Sequence, residues 1–364
     1  MVKTPFIPPK LPFQIDYSVL IKEIGRAHDA LGQLNGLLVN IPNPDLLTIP
    51  LLTKEAVLSS RIEGTQATIK DVFEYEAEAK TTEDDAKERD VREIINYRLA
   101  MDSAIEELAK RPIAENLLKR THHILLDSVR GAHKERGNFR KSQVYIGLPN
   151  SKIEEAAYIP PPPSEILSLL GNWEAYINSE EEKDVLVQIG IAHYQFEAIH
   201  PFMDGNGRIG RLIIPLFLYQ RKLLSHPLLY ISEYFENRRS DYYSLLNGVS
   251  KEGDWEPWLK FFLQAVESQS LKTQTVILKI LVLYHKLKDE VSQVNAVHAV
   301  SLLDIIFASP IVSFVSIKKR IRARSHQTIY NLLEKFVKLG ILKEVPGRKR
   351  NRIFVFQQLM DILK

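Results

Sequence analysis

The stretch "HPFMDGNGRIGR", His200 to Arg211, holds one histidine, one aspartate, one asparagine, two arginines and three glycines in twelve residues. Glycine loses more conformational freedom on folding than any other residue, so a run this rich in it rarely serves packing alone. Apolar residues at helical spacing flank it, over Val185–Ile199 before and Leu212–Arg221 after, and the second helix is predicted to start near Gly207 or Arg208. A helix start offers unpaired N–H groups and the positive end of the helix dipole. Gly205 and Gly207 permit close backbone approach and Asn206 tolerates unusual torsions, which together make a nest for a phosphate. Arg208 and Arg211, three apart, share a helix face and can reach one polyphosphate. Asp204 is placed to hold Mg²⁺, and His200 stands at the mouth as a base for an incoming hydroxyl. These are the parts of a phosphoryl- or nucleotidyl-transfer site.

The rest of the chain sets bounds. Its 364 residues imply two or three domains, and 45% hydrophobic with 26% charged residues is a soluble globular composition. No apolar run reaches the length of a membrane span. The absence of cysteine removes disulfides, zinc–thiolate sites and cysteine nucleophiles. The proline-rich start, "MVKTPFIPPKLPFQID", does not read as a signal peptide, so a cytoplasmic location is expected. Net charge is only +3, but residues 318–353 carry twelve Lys or Arg against Glu334 and Glu344 alone.

The fold class expected is mainly α. Helical periodicity starts at Tyr17, is broken by "IPNPDLL", and returns in a short helix near Thr53–Ser60, then in Val91–Leu108, Ile113–Leu126, Ile166–Asn178 and a helix reaching about Ser268. "EYEAEAKTTEDDAKERD" reads as a solvated loop or helix end. Between helices, "GNFRKSQVYIG", Gly137 to Gly147, has strand character, and four prolines at 160–163 force an extended path after it. From about Leu271 the rhythm changes. Leu278–Val291 reads as a linker helix; two short helices, a longer one over Ser325–Leu339 and a hairpin "ILKEV–PGRKRN–RIFVF" outline a winged helix. In that arrangement His326, Gln327, Thr328 and Asn331 face outward and "GRKRNR" is a wing, a surface suited to DNA or to a protein partner.

"HPFMDGNGRIGR" closely resembles the Fic-domain signature, HPFx(D/E)GNGRxxR, at every defined position. The resemblance implies a helical fold and transfer of AMP from ATP to a Tyr, Thr or Ser hydroxyl of a target protein, or of the enzyme itself, with release of pyrophosphate. It makes His200 the general base, Asp204 the Mg²⁺ ligand and Phe202 a core anchor. Gly205, Asn206, Gly207 and Arg208 would hold the α- and β-phosphates and Arg211 the γ-phosphate, with Ile209 and Gly210 completing the ATP-binding turn. The family's β-hairpin flap, which pairs with the target as an added strand, would be the 137–147 segment with Val144, Tyr145 and Ile146. Tyr242 or Tyr243 would touch adenine or ribose.

"SSRIEGT" matches a second family pattern, (S/T)xxxE(G/N), through Ser59, Glu63 and Gly64. The resemblance implies an inhibitory helix over about residues 53–64, in which Glu63 pairs with Arg211 and keeps ATP out of its transfer geometry. In some relatives the same glutamate orients water for AMP removal. The organisation expected is a helical N-terminal region (1–110) with that helix, a catalytic core (111–270), and a linker helix with the winged helix (271–364). A homodimer and a DNA partner accompany this reading, without a membrane partner. Its rival is a DNA-binding regulator whose core only senses nucleotide; an intact His200 separates the two, since a sensor needs no base. Phosphate or phosphocholine donors, used by some relatives, are a third possibility, against which the unaltered "GNGR" favours ATP.

Overall fold

The computed structural model describes residues 4–41, 43–77, 85–127, 129, 135–147, 152–294, 296–321, 325–346 and 352–364. After a proline-rich arm, α1 (Ile21–Leu38) is followed by α2 (Asp45–Ile62), α3 (Ile69–Glu76), α4 (Asp85–Leu108) and α5 (Glu115–Leu125). The extended flap region leads to α6 (Ile166–Asn178), α7 (Val185–Ile199) and α8 (Asn206–Gln220), then to α9 (Ser232–Asn237), α10 (Arg239–Glu252) and the long α11 (Trp255–Ser292). The C-terminal elements are α12 (Ala299–Ala308), β1 (Ile311–Ser313), α13 (Phe314–Arg320), α14 (His326–Lys338), β2 (Lys343–Glu344), β3 (Ile353–Val355) and α15 (Gln357–Leu363). Among the described residues no helix is long and apolar enough to cross a membrane.

Helix α7 is the centre of the molecule. Asp184 caps its start by accepting from the Leu186 and Val187 amides at 2.9 and 3.0 Å, and the helix is buried on nearly every side. Gly190 lets α11 close in: a Cβ there would lie 3.1 Å from the Phe262 ring. Trp258 of α11 and Trp173 of α6 donate to the Gly190 and Ala192 carbonyls at 3.0 and 2.8 Å. The proline-rich arm lies along the same helix, where Gln195 donates to the Pro9 carbonyl at 2.8 Å. One apolar core runs from Leu11 through α7, α8 and α11 to Leu363.

Three elements differ from the sequence expectation. The helix expected near Thr53, α2, starts at Asp45, because Pro44 sits at the N-cap and Pro50 is carried inside the helix rather than ending it. A core ending near 270 and a separate linker helix are replaced by one helix, α11, whose polar stretch 267–275 contains no Gly or Pro to stop it. The flap is not a ladder of strands. Its pairing among the described residues is a single antiparallel bridge, Ile146 to Tyr158, with a short 3₁₀ turn at Ile153–Glu155 between; residues 148–151 lie outside the described residues.

At the C-terminus the strands form an antiparallel sheet in the order β1-β3-β2, with Ile311 opposite Val355 and Lys343 opposite Val355 on its other edge. Ser325 caps α14, its hydroxyl accepting from the Thr328 amide at 3.3 Å, and His326, Gln327, Thr328 and Asn331 are exposed on that helix. Of the expected wing, residues 347–351 lie outside the described residues; Arg352 pairs with Glu344 at 2.5 Å.

Candidate active site

The link between α7 and α8 is short and fully tied down. His200 ends α7 in the left-handed region at φ 49°, an unusual conformation for a residue with a Cβ, and Gly205 opens α8 at φ 78°. The Asn206 side chain closes the loop on itself. Its Oδ1 accepts from the Phe202 amide at 2.8 Å and its Nδ2 donates to the Phe202 carbonyl at 2.9 Å. Asn206 thus shapes the nest, and the fully buried Phe202 anchors it.

Two residues that the sequence did not single out hold this loop from outside. Arg140, in the flap region, donates through Nε to the His200 carbonyl at 2.8 Å and through its terminal nitrogen to the Pro161 carbonyl at 2.5 Å. It caps the C-terminal end of α7 with a charge of the favourable sign, although burial lowers its own pKa to about 10. His122 stacks on Phe202 at 3.9 Å between ring centres. Its Nδ1 accepts from the Gly137 amide at 2.8 Å and its Nε2 donates to the Asp204 carbonyl at 3.1 Å. One acceptor and one donor demand a neutral ring, and burial pushes its pKa down to about 4.

His200 itself is half-buried, and its Nδ1 lies 3.4 Å from the Glu197 carbonyl, which leaves Nε2 toward the site. Burial, assisted by the nearby Arg140 charge, lowers its pKa to about 4, so the ring is neutral and able to take a proton at physiological pH. Asp204 accepts from the Gly205 amide at 2.7 Å and from Arg208 at 3.4 Å, with over a quarter of its side chain exposed. Among the described residues no group of three or more His, Cys, Asp or Glu converges on one point. A cation at Asp204 would therefore have one protein carboxylate, the donor set of a Mg²⁺ that arrives with phosphates and water.

Both arginines are buried and paired. Arg208 donates to Glu93 of α4 at 3.1 Å, a carboxylate that also accepts from Thr65 at 3.3 Å. Arg211 takes all its partners from the end of α2: Ser59 Oγ and the Ser59 carbonyl, each at 2.9 Å, and Glu63 Oε1 at 2.6 Å. Burial opposes the charge on Arg211, but the Glu63 carboxylate outweighs it and the guanidinium stays charged. Burial likewise works against Glu63, and Arg211 again prevails, holding the carboxyl below its usual value. Glu63 lies against Gly207. A Cβ at that position would stand 2.3 Å from Glu63 Oε1, so the carboxylate lies directly over the first turn of α8. Gly64, at φ 99°, turns the chain out of α2 immediately afterwards.

The structure thus gathers His200, Asp204, Gly205, Asn206, Gly207, Arg208 and Arg211 with Ser59 and Glu63. Ile209 is buried on the core side of α8. Tyr242 is a correction. It is buried, stacks on Phe235 at 4.5 Å and bonds through its hydroxyl to His193 Nε2 at 3.0 Å, so it is a core residue unable to lie on a base or sugar. Tyr243, 43% exposed, is the open one of the pair. In the flap Val144 is half-buried, while Tyr145 and Ile146 are exposed.

Comparison with known proteins bears on the family and the fold. Residues 21–106 match the Fic/DOC family N-terminal region and residues 112–218 match the Fic/DOC family, together more than half of the chain. Protein adenylyltransferase Fic of Drosophila mojavensis is 30% identical over 196 residues, 48% of this chain and 36% of that protein. The corresponding Drosophila melanogaster protein is 33% identical over 135 residues, 36% of this chain and 24% of its own length. The chain therefore spans about a third or less of the length of these relatives. A Fic family protein from Desulfovibrio desulfuricans shares the fold over 97% of this chain and 98% of its own, with TM-score 0.60 and 21% identity. Fic-1 from C. elegans does so over 71% of this chain and 73% of its own, with TM-score 0.54 and 20% identity. With the signature loop, its buried arginine pair and both matched regions in one chain, the protein belongs to the Fic/DOC family.

Proposed function

We propose that this protein is an adenylyltransferase that moves AMP from ATP to a Tyr, Thr or Ser hydroxyl of a target protein and of itself, releasing pyrophosphate. The observation that carries the reading is His200, its Nδ1 turned to the Glu197 carbonyl, beside a helix N-terminus flanked by two buried arginines. The target hydroxyl gives its proton to Nε2 as its oxygen attacks the α-phosphorus, and the pyrophosphate leaves toward the arginines. Amides at the start of α8, from Asn206 and Gly207, hold the α- and β-phosphates, and Arg208 and Arg211 take the charge that develops on the leaving group. Asp204 would hold Mg²⁺, which offsets the negative charge of the triphosphate. The exposed Tyr145 and Ile146 of the flap would receive the target segment as an added strand.

In this reading the enzyme rests in a braked state. Glu63 occupies Arg211 and covers Gly207, so a γ-phosphate meets a carboxylate where it needs a cation. The C-terminal elements, with an exposed polar face on α14 and a three-stranded sheet, fit a winged helix that addresses the enzyme to DNA or to a protein. That exposed face also supports the second reading, a DNA-binding regulator whose core senses nucleotide. Label transfer from α-labelled ATP with Mg²⁺ decides between them. Weak labelling by wild type, strong labelling by Glu63→Gly and none by Glu63→Gly/His200→Ala is the expected pattern. A Glu63→Gly protein that binds ATP and labels nothing, itself included, leaves the regulator as the better account.

A further inference from the structure

Arg211 faces two carboxylates, and only one of them is paired. Glu197, in the last turn of α7, sends its Oε1 to within 2.3 Å of where a Cβ on Gly210 would lie, as Glu63 does at Gly207. The two glycines are one turn apart on α8, a separation of about 5–6 Å between Cβ positions. Both carboxylates therefore lean on one face of α8 beside Arg211. Glu63 takes the ion pair; Glu197 Oε1 is buried with no hydrogen-bond partner. Nothing in the reaction described above uses it. The charged and titratable groups around it are Arg211 on α8, Glu63 at the end of α2, Tyr242 and Tyr243 on α10, and His193 and His200 on its own helix.

We propose that Glu197 is the second, exchangeable counter-charge of Arg211: it ionises and takes over the guanidinium when Glu63 withdraws, and it must regain a proton before the terminal phosphate of a nucleoside triphosphate can seat there. Like charges sharing one cation do not both ionise, so the departure of one carboxylate favours ionisation of the other. Burial, then Glu63, against the pull of Arg211, raises Glu197 to about 7 in the resting state, so it is about half protonated at neutral pH and mostly protonated below it. Removing Glu63 removes the repulsion and frees the guanidinium. Seating the γ-phosphate would restore a negative charge beside Arg211, so Glu197 takes one proton from solvent to admit it. The new O–H points to the phosphate as a donor, where an ionised carboxylate would repel it. Glu197 is a positioning residue that scores the charge of the nucleotide tail, and a diphosphate, lacking the terminal group, does not invoke it.

The inference rests on the reading that Arg211 receives the γ-phosphate, and its test reads binding rather than transfer. Titration calorimetry of Glu63→Gly with MgATP and MgADP at pH 8, in two buffers of different ionisation heat, gives the protons taken up. Close to one proton is expected with ATP and almost none with ADP. Glu63→Gly/Glu197→Gln should lose the uptake and bind ATP at least about tenfold more tightly at pH 8, since one pH unit of protonation cost is a factor of ten and the loss of Glu63 only lowers Glu197 further. Glu197→Leu in the same background should likewise show no uptake. Glu63→Gly/His200→Ala should keep it, which separates Glu197 from the other ionisable group at the mouth. Uptake that survives Glu197→Gln, or that vanishes with His200→Ala, overturns the proposal. Uptake without any label transfer upholds it while removing the transferase reading, and a Glu63→Gly protein that binds no ATP removes both.

Discussion

Two buried histidines near the signature, His193 and His122, are held neutral by opposite demands on their two nitrogens. His193 donates from Nδ1 to the Gly210 carbonyl and accepts at Nε2 from Tyr242, each at 3.0 Å, and burial lowers its pKa to about 3. His122 has the reverse arrangement and serves the opposite side of the loop. Replacing His122 with Ala unties the Asp204 carbonyl and the Gly137 amide, so a loss of about 1–3 kcal/mol is expected in chemical denaturation. Labelling in a Glu63→Gly background should fall as well, although His122 touches no substrate; unchanged labelling would mean that the loop keeps its shape without it. His200 differs because its Nε2 is open. Its pKa near 4 makes the base form complete well below neutrality. Activity is therefore present above that value and is lost as pH falls through it. At saturating ATP the labelling rate of Glu63→Gly should be flat from pH 6 to 8 and drop only on approach to pH 4–5. A rate that halves near pH 6.5 would show an unperturbed imidazole. Arg208 and Glu93 make the remaining residue-scale case, with side-chain exposures of 3% and 1%. Glu93→Ala leaves a buried guanidinium without its main partner, a loss of about 3–5 kcal/mol.

Helix α2 is apolar on almost every side, burying Leu46, Leu47, Leu51, Leu52, Ala56, Val57 and Ile62, and a helix buried all round does not swing away as a lid. Its polar residues Glu55, Ser59 and Glu63 recur every fourth position, a stripe along the side that meets Arg211. Glu63 alone stands at the C-cap with a third of its side chain exposed. Release of Arg211 is thus a matter of the last residue and the turn through Gly64, with α2 itself fixed. Glu55 at the other end of the stripe is fully inside; it accepts from Ser232 and Tyr97, while its Oε2 has no partner. Burial raises it to about 7. Because that exceeds its value of about 4.5 in the unfolded chain, the folded protein binds the extra proton between the two, and stability falls as pH rises from 4.5 to 7. Glu55→Gln removes this dependence and should stabilise the protein at pH 8, on the order of 2–3 kcal/mol, with little change at pH 4.5. Equal melting shifts at both pH values would show a carboxylate already ionised. What the sequence could and could not disclose divides along the same lines. The α7–loop–α8 unit was legible because glycine, arginine and aspartate crowd within twelve residues, and Glu63 was legible through its spacing from Ser59. Glu93, Arg140 and Glu197 were not, since each acts through partners distant in the chain or on another helix; Glu93 and Arg208 are 115 positions apart. The start of α2 was hidden by prolines that a cap and a well-packed helix interior accommodate, and the length of α11 by a polar stretch that mimics a linker.

At the scale of the whole molecule, the C-terminal elements are not an appendage. Helix α12 packs against α2, α15 touches both α2 and α11, and β1 lies on α3, the helix that follows the Glu63 turn. Phe73 of α3 and Ala77 at its C-cap share an apolar cluster with Ile311, Ile353 and Met360. The segment that carries Glu63 is therefore gripped on one side by α4 and α8 and on the other by the C-terminal sheet. Phe73 has no exposed surface, so Phe73→Ala should cost about 3–5 kcal/mol from lost burial and the cavity left behind. The sharper experiment is removal of residues 296–364. If those residues formed an independent body, the shortened chain would melt as the intact one does, and the separated piece would show its own transition. The packing argues otherwise. Truncation uncovers the cluster around Phe73 and the side of α2 that meets α12, so the intact chain should melt in a single cooperative transition. The shortened chain should melt at lower temperature and bind a hydrophobic dye. A melting temperature within a degree of the full chain's would show that these contacts contribute nothing to holding α2 and α3 in place.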